Sequence, residues 1–236
     1  MWTASRPALS RSPIPRSPVP RSPVPRSAAL AGGTALALAL ALAPTAASAG
    51  PAGPAAPPTN VRFLDAAHWQ AGLPGTGAWT AGEIRPGRRS PTFYCVNEPL
   101  PVDRTSYRDS DGDHAHGFQH VTAQPSAAAA ERLVAGYVRH LRSCLTKWWD
   151  DTGTVRIKQL GSYPRIKDGL VVIGVFHRYD KDNLLFAGRA ASDLFAVGRD
   201  GKLVTTLELD LWVPRKTAPV AQFTALAKTG LRQLVS

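Results

Sequence analysis

The chain has 236 residues and a formal net charge of +11, with only 19% charged residues and two cysteines. A run of five or more Lys/Arg is absent and the basic residues are scattered, which argues against nucleic acid as a partner. The balance excludes an acidic disordered chain and a cysteine-dense scaffold, and leaves room for one ordinary domain behind a separate amino-terminal region.

Residues 1–27 carry five arginines and no acid, in a repeated Arg-Ser-Pro-x-Pro phrase, RSPIPRSPVPRSPVPRS. Dense proline forbids a helix, so this stretch reads as a long basic n-region without a core. An apolar run follows from Ala28 to Ala43, then Pro44 and the tripeptide Ala47-Ser48-Ala49. A positive flank, a short apolar segment and an A-x-A site predict a secretory signal peptide over residues 1–49, cleaved after Ala49. The run is too short and too alanine-rich for a spanning helix, so a secreted or extracytoplasmic product with no stable membrane insertion is expected. No cysteine stands near the cleavage site to carry a lipid. The five leader arginines account for +5 of the +11, which leaves +6 on the exported part.

Residues 50–59, GPAGPAAPPT, form a Pro/Gly-rich linker. Residues 60–236 then have the size of a single domain with its own core. Val61–Gln70 predicts a short helix, and residues 91–98 a short strand around Cys95. Arg104–Tyr107 and Phe118–Thr122 read as extended pieces on either side of a polar loop. The strongest helical pattern is PSAAAAERLVAGYVRHLRSCLTKWWD, Pro125–Asp150. Here Ala130, Leu133, Val134, Tyr137, Val138, Leu141, Cys144, Leu145 and Trp148 recur at steps of three and four. Ser126 supplies a capping hydroxyl.

Beyond it the period changes to two. Thr154–Tyr163 predicts a strand, and Gly169–Tyr179, apolar on both faces, a strand inside a sheet. A turn at 180–183 leads into an extended run beginning at Leu184. The phrase DLFAVGRDGKLVTTLELDLWV predicts a hairpin about Asp200-Gly201. Leu203, Thr205, Leu207, Leu209, Leu211 and Val213 share one face, and Val204, Thr206, Glu208, Asp210 and Trp212 a more polar one. Thr217–Val235 predicts a second amphipathic helix. The sum is an α+β fold, an antiparallel sheet with two long amphipathic helices packed on one face.

In an exported protein two cysteines predict one bridge, Cys95–Cys144, pinning the long helix to the sheet. Asp109, Asp111 and Asp113 alternate like the start of a calcium loop. However, His114 stands where the turn needs glycine, and the twelfth position lacks glutamate. His114 and His116, with Asp113 or His120, are candidate zinc ligands, but their spacing closes no four-ligand site, so no metal and no cofactor are expected. G-x-S-x-G, H-E-x-x-H and a phosphate-binding Gly-rich loop are all missing. His177, inside a strand, is the candidate cleft histidine. Trp212 and Glu208 are the candidate ligand contacts on the polar face of the hairpin.

Three phrases carry a resemblance: FLDAAHWQAGLPGTGAWT, QHVTAQPSAAAAERLVAGYVRHLRSC and DLFAVGRDGKLVTTLEL, the last followed by a terminal helix. Together they resemble exported actinobacterial proteins with a PknH-like extracellular sensor domain. The resemblance implies a curved antiparallel sheet with helices on one face, disulfide support and a cleft for an unknown ligand. Family members with more cysteines have a second bridge, which two cysteines do not allow. The function expected is a secreted, non-catalytic ligand-binding or sensor-type domain whose partner is a small molecule or a cell-envelope component. The alternative is a secreted hydrolase whose site is assembled from distant residues.

Overall fold

A computed structural model describes Pro58 and residues 60–89, 95–149, 153–183 and 186–234. The predicted signal peptide, its cleavage site, nearly all of the linker, and Phe93 and Tyr94 lie outside the described residues.

Among these residues three α-helices and eight strands follow in the order α1 (Ala66–Gly72), β1 (Trp79–Ala81), β2 (Arg85–Pro86), β3 (Thr105–Gly112), β4 (Ala115–Ala123), α2 (Ala127–Trp149), β5 (Gly153–Tyr163), β6 (Leu170–Tyr179), β7 (Ala190–Asp200), β8 (Leu203–Leu211) and α3 (Val220–Arg232). The strands form one antiparallel sheet in the order β1-β3-β4-β8-β7-β6-β5, with β2 also beside β3. The α+β class and the antiparallel sheet agree with the sequence reading.

The placement of the helices does not. Leu207, Leu209 and Leu211 of β8 pack with Leu194 and Ala196 of β7 against Phe223, Leu226, Ala227 and Leu231 of α3 and Trp69 of α1. Alternate residues Val204, Phe195, Val197, Ile173 and Val175 pack against Tyr137, Leu141, Cys144 and Leu145 of α2. Successive strand side chains point to opposite faces, so α2 covers one face and α1 with α3 the other. Topology is the reason. The chain leaves β4 in the sheet interior and re-enters at β5, four strands away on the far edge. A 23-residue helix, roughly 35 Å long, crosses that face diagonally. The meander β5-β6-β7-β8 returns beneath it to pair with β4, and α3, leaving the middle of an occupied face, takes the opposite one.

Local signals explain the ends. Ser126 Oγ accepts from Ala129 N at 3.1 Å and starts α2. Asp65 accepts from His68 N at 2.9 Å, so α1 begins at Ala66 and not at Val61. The residues ahead of it form no helix, and Leu64 N donates to Gln119 Oε1 at 2.7 Å. The β7–β8 turn is Gly201-Lys202, one residue later than expected. Asp200 still pairs with Leu203, and Gly201 holds the left-handed φ of +58°. Residues 186–188 are a turn, and β7 starts at Ala190.

Two further expectations are corrected. Cys95 lies in a 3-10 turn, Cys95–Asn97, and not in a strand. Pro99 and Pro101 follow closely, and the Arg88 guanidinium gathers the carbonyls of Asn97, at 3.2 Å, and Leu100, at 3.3 Å, into a compact loop. The disulfide Cys95–Cys144, with Cα atoms 5.9 Å apart, therefore ties α2 to this loop. The polar stretch from Arg108 to Gly117 is mostly strand. Asp111 pairs with His116 and Gly112 with Ala115, so only Asp113 and His114 turn.

Candidate functional site

At the end of the sheet, the β3–β4 turn, the tail of β8 and the 3-10 turn Pro74–Thr76 enclose a cavity of about 420 Å³. Asp113, His114, His116 and Trp212 are among its lining residues. Side chains read separately from sequence as metal and ligand candidates thus share one wall. Period-two alternation brings them there: His116 is the second residue of β4, beside the turn, and Trp212 follows the last rung of β8. Asp113 Oδ2 accepts from Ala78 N at 3.2 Å, and His116 Nδ1 lies 2.8 Å from Asp111 Oδ1. Both side chains are thereby held in place. The metal-capable donors that converge among the described residues are instead Cys95, His140 and Cys144, two of which are joined in the disulfide.

Trp212 is 46% exposed and is the outer member of an aromatic stack. Its ring lies 4.8 Å from Phe186 at 29° and 5.9 Å from Tyr179 at 22°. The edge of Tyr179 in turn meets the His177 ring at 4.0 Å. Trp212 and His177, 35 positions apart in the chain, are connected through a single tyrosine. His177 is buried, and burial pulls its pKa down to about 4, with Asp180 opposing. A histidine that weakly basic is a poor general base at neutral pH.

Behind the cavity wall stands a row of carboxyls on the face that α2 covers. Glu208 and Asp210 alternate along β8 toward Trp212, and Asp193 of β7 stands directly across from Asp210. Phe118 is opposite Glu208 and His116 opposite Asp210 on the other flank. The expected open polar face of β8 is therefore closed: Thr206 is 2% exposed and Glu208 4%. Asp193 is 1% exposed and its carboxyl hydrogen-bonds that of Asp210, while Glu208 Oε1 has no hydrogen-bond partner. Burial drives the Asp193 carboxyl well above the carboxylate range, and the neighbouring Asp210 and Glu208 push it the same way. Burial lifts Glu208 to about 8 and raises Asp210. Glu208 and Asp193 so placed favour the protonated form at neutral pH, able both to donate and to accept hydrogen bonds.

The cation nearest this row is Arg89. Its guanidinium lies 3.7 Å over the Phe118 ring, and its Nε is 3.4 Å from Asp109 Oδ1. Its backbone N donates to His120 Nε2 at 3.3 Å. That fixes the proton on His120 Nδ1, 3.4 Å from Thr206 Oγ1. Burial first, then Arg89, lowers the His120 pKa to about 3, so this imidazole is neutral.

Sequence reading singled out Glu208, Trp212 and His177 but missed Asp193, Tyr179, Phe186 and Arg89. Asp193 did carry a signal, as an acid inside the otherwise apolar strand ASDLFAV. Arg89 and Phe186 reach the site from loops, where no periodicity applies.

No family model matches the chain, and no curated protein matches it. Among solved structures the chain is similar to the extracellular domain of PknH from Mycobacterium tuberculosis, with 13% identity over 71% of this chain and 91% of that one and a TM-score of 0.41. No helix among the described residues is long and apolar enough to cross a membrane.

Proposed function

We propose that this is a secreted, non-catalytic ligand-binding domain of sensor type, exported by the leader and released after Ala49. Its ligand enters the cavity beside Trp212. The observation that supports this reading most is the exposed aromatic stack of Trp212, Phe186 and Tyr179 at the cavity, with the hydrogen-bonded Asp193–Asp210 pair beside Tyr179. A flat aromatic platform beside groups that donate and accept hydrogen bonds suits a sugar ring, whose C–H face stacks while its hydroxyls bond at the rim. A glycan fragment of the cell envelope fits that chemistry and the export signal. Thermal-shift titration of the purified secreted protein against cell-wall disaccharides, lipids and small metabolites tests it. A ligand at a hundred times its Kd adds ~2.7 kcal/mol of stability.

One observation favours a second reading, a hydrolase: two carboxyls opposed across a ladder are acid/base chemistry in other settings. Turnover of a screened compound that Asp210→Asn abolishes would replace binding with catalysis.

A further inference from the structure

On the opposite side of the sheet, at the β5 edge, lies a second cavity of about 750 Å³. Arg156, Arg178, Arg215 and Lys216 line it with Thr154, Phe176 and His177, the candidate cleft histidine, and no carboxylate lines it. The cations come from three separate segments. Thr154 of β5 pairs with Arg178 of β6, and Arg156 pairs with Phe176, so Arg156 and Arg178 are diagonal neighbours on the α3 side of the sheet. Such neighbours lie roughly 7–8 Å apart. Beyond β8 the chain returns over them, and the Arg215 guanidinium sits 5.4 Å above the Phe176 ring. None of these four cations is in an ion pair among the described residues.

Like charges held this close on neighbouring strands repel each other, and none of the four is neutralised by an ion pair among the described residues. The arrangement gains stability from an anion that spans them. Three of the four are guanidiniums, whose planar forks match phosphate oxygens two at a time, while the lysine adds a mobile point charge. Phe176 gives the floor an apolar patch for whatever the phosphate is attached to.

We infer that this cavity binds a phosphate-bearing ligand, a phosphomonoester or a phosphodiester, held by Arg156, Arg178 and Arg215. It is separate from the Trp212 cavity, and neither reading depends on the other. The same chemistry is presented by a soluble glycerol phosphate unit and by an anionic lipid headgroup. Calorimetry of the secreted protein with glycerol phosphate, and co-sedimentation with phosphatidylglycerol or phosphatidylcholine vesicles, separates these sources. Saturable heat with glycerol phosphate supports a soluble phosphate. Retention on phosphatidylglycerol but not phosphatidylcholine, without such heat, supports the headgroup. In either case Arg156→Ala with Arg178→Ala lowers affinity about tenfold or more, and the double lysine replacement weakens binding while preserving charge. Arg132→Ala with Arg139→Ala removes the same charge from the exposed side of α2 and leaves affinity within about twofold. Absence of binding to every phosphate probe overturns the inference. So does an equal loss in the α2 variant, which would make the effect one of net charge alone.

Discussion

Asp193 and Asp210 face each other across the β7–β8 ladder, one on each strand, with Asp193 wholly buried and its carboxyl hydrogen-bonded to that of Asp210. Two carboxyls in that relation cannot both ionise without repulsion in a poorly solvated site, so the fold holds protons where a solvated sheet face would hold none. Glu208 extends the same environment by one rung pair along β8.

Stability should consequently fall as pH rises above neutrality. The Glu208 pKa moves from 4.5 to about 8 on folding, so its stabilising contribution is complete below 4.5 and is lost as pH climbs to 8. His120 and His177 work in the other direction. Their folded pKa values, about 3 and about 4, lie below the ordinary 6.5, so stability is lost as pH falls below 6.5. The two trends oppose each other between 4.5 and 6.5, and only the carboxyls act above that. Urea midpoints should decline from pH 6.5 to pH 8, Glu208 alone contributing about 2 kcal/mol of the loss. Glu208→Gln should flatten this decline, and a wild-type curve that rises over the window would contradict the assignment.

His120 should remain neutral well into acid. Proton NMR of its ring, assigned by comparison with His120→Gln, should show no titration between pH 7 and pH 4. A midpoint near the ordinary histidine value would mean that the imidazole is hydrated and not buried.

The bridge should carry much of the stability of the α2 layer. Cys95 and Cys144 are 49 positions apart, and closing a loop of that length contributes roughly 4 kcal/mol in the chain-entropy account. Reduction, or Cys144→Ala, should lower the melting temperature markedly. Non-reducing peptide mapping of the native protein should find one linked pair, and two alkylatable thiols would refute it.

Gly117 should tolerate no side chain. A Cβ there would stand 2.6 Å from the ring of Trp69, which is 1% exposed and stacked on Trp79 at 4.9 Å, so it has nowhere to retreat. Gly117→Ala should cost about 1–3 kcal/mol, measured by denaturant unfolding.

The elements that could be read from sequence were those whose partners are local. The stripe from Ala130 to Leu145, the Ser126 cap and the period-two run through β8 each report a short-range pattern. What could not be read was which layer each element joins. Val204, Thr206, Glu208 and Asp210 alternate like a solvated face, and nothing near them reveals that α2, some 60 positions earlier, lies across it. The Asp109–His116 stretch was hidden for the opposite reason. Strand propensity yields to pairing, and a polar run on the outer part of the sheet can be strand because solvent covers what the core does not. The cation cavity draws on three segments whose arginines follow no common spacing.

The central claim is that the cavity beside Trp212 binds a ligand without transforming it. Trp212 is 46% exposed, so truncating it leaves the core intact. The decisive measurement is calorimetric titration of wild-type and Trp212→Ala protein with a cell-wall disaccharide, followed by mass spectrometry of the recovered sugar. The account predicts saturable binding to the wild type, a loss of about tenfold or more in Trp212→Ala at unchanged melting temperature, and a sugar recovered intact. Equal binding by both proteins, or a cleaved sugar, would contradict it.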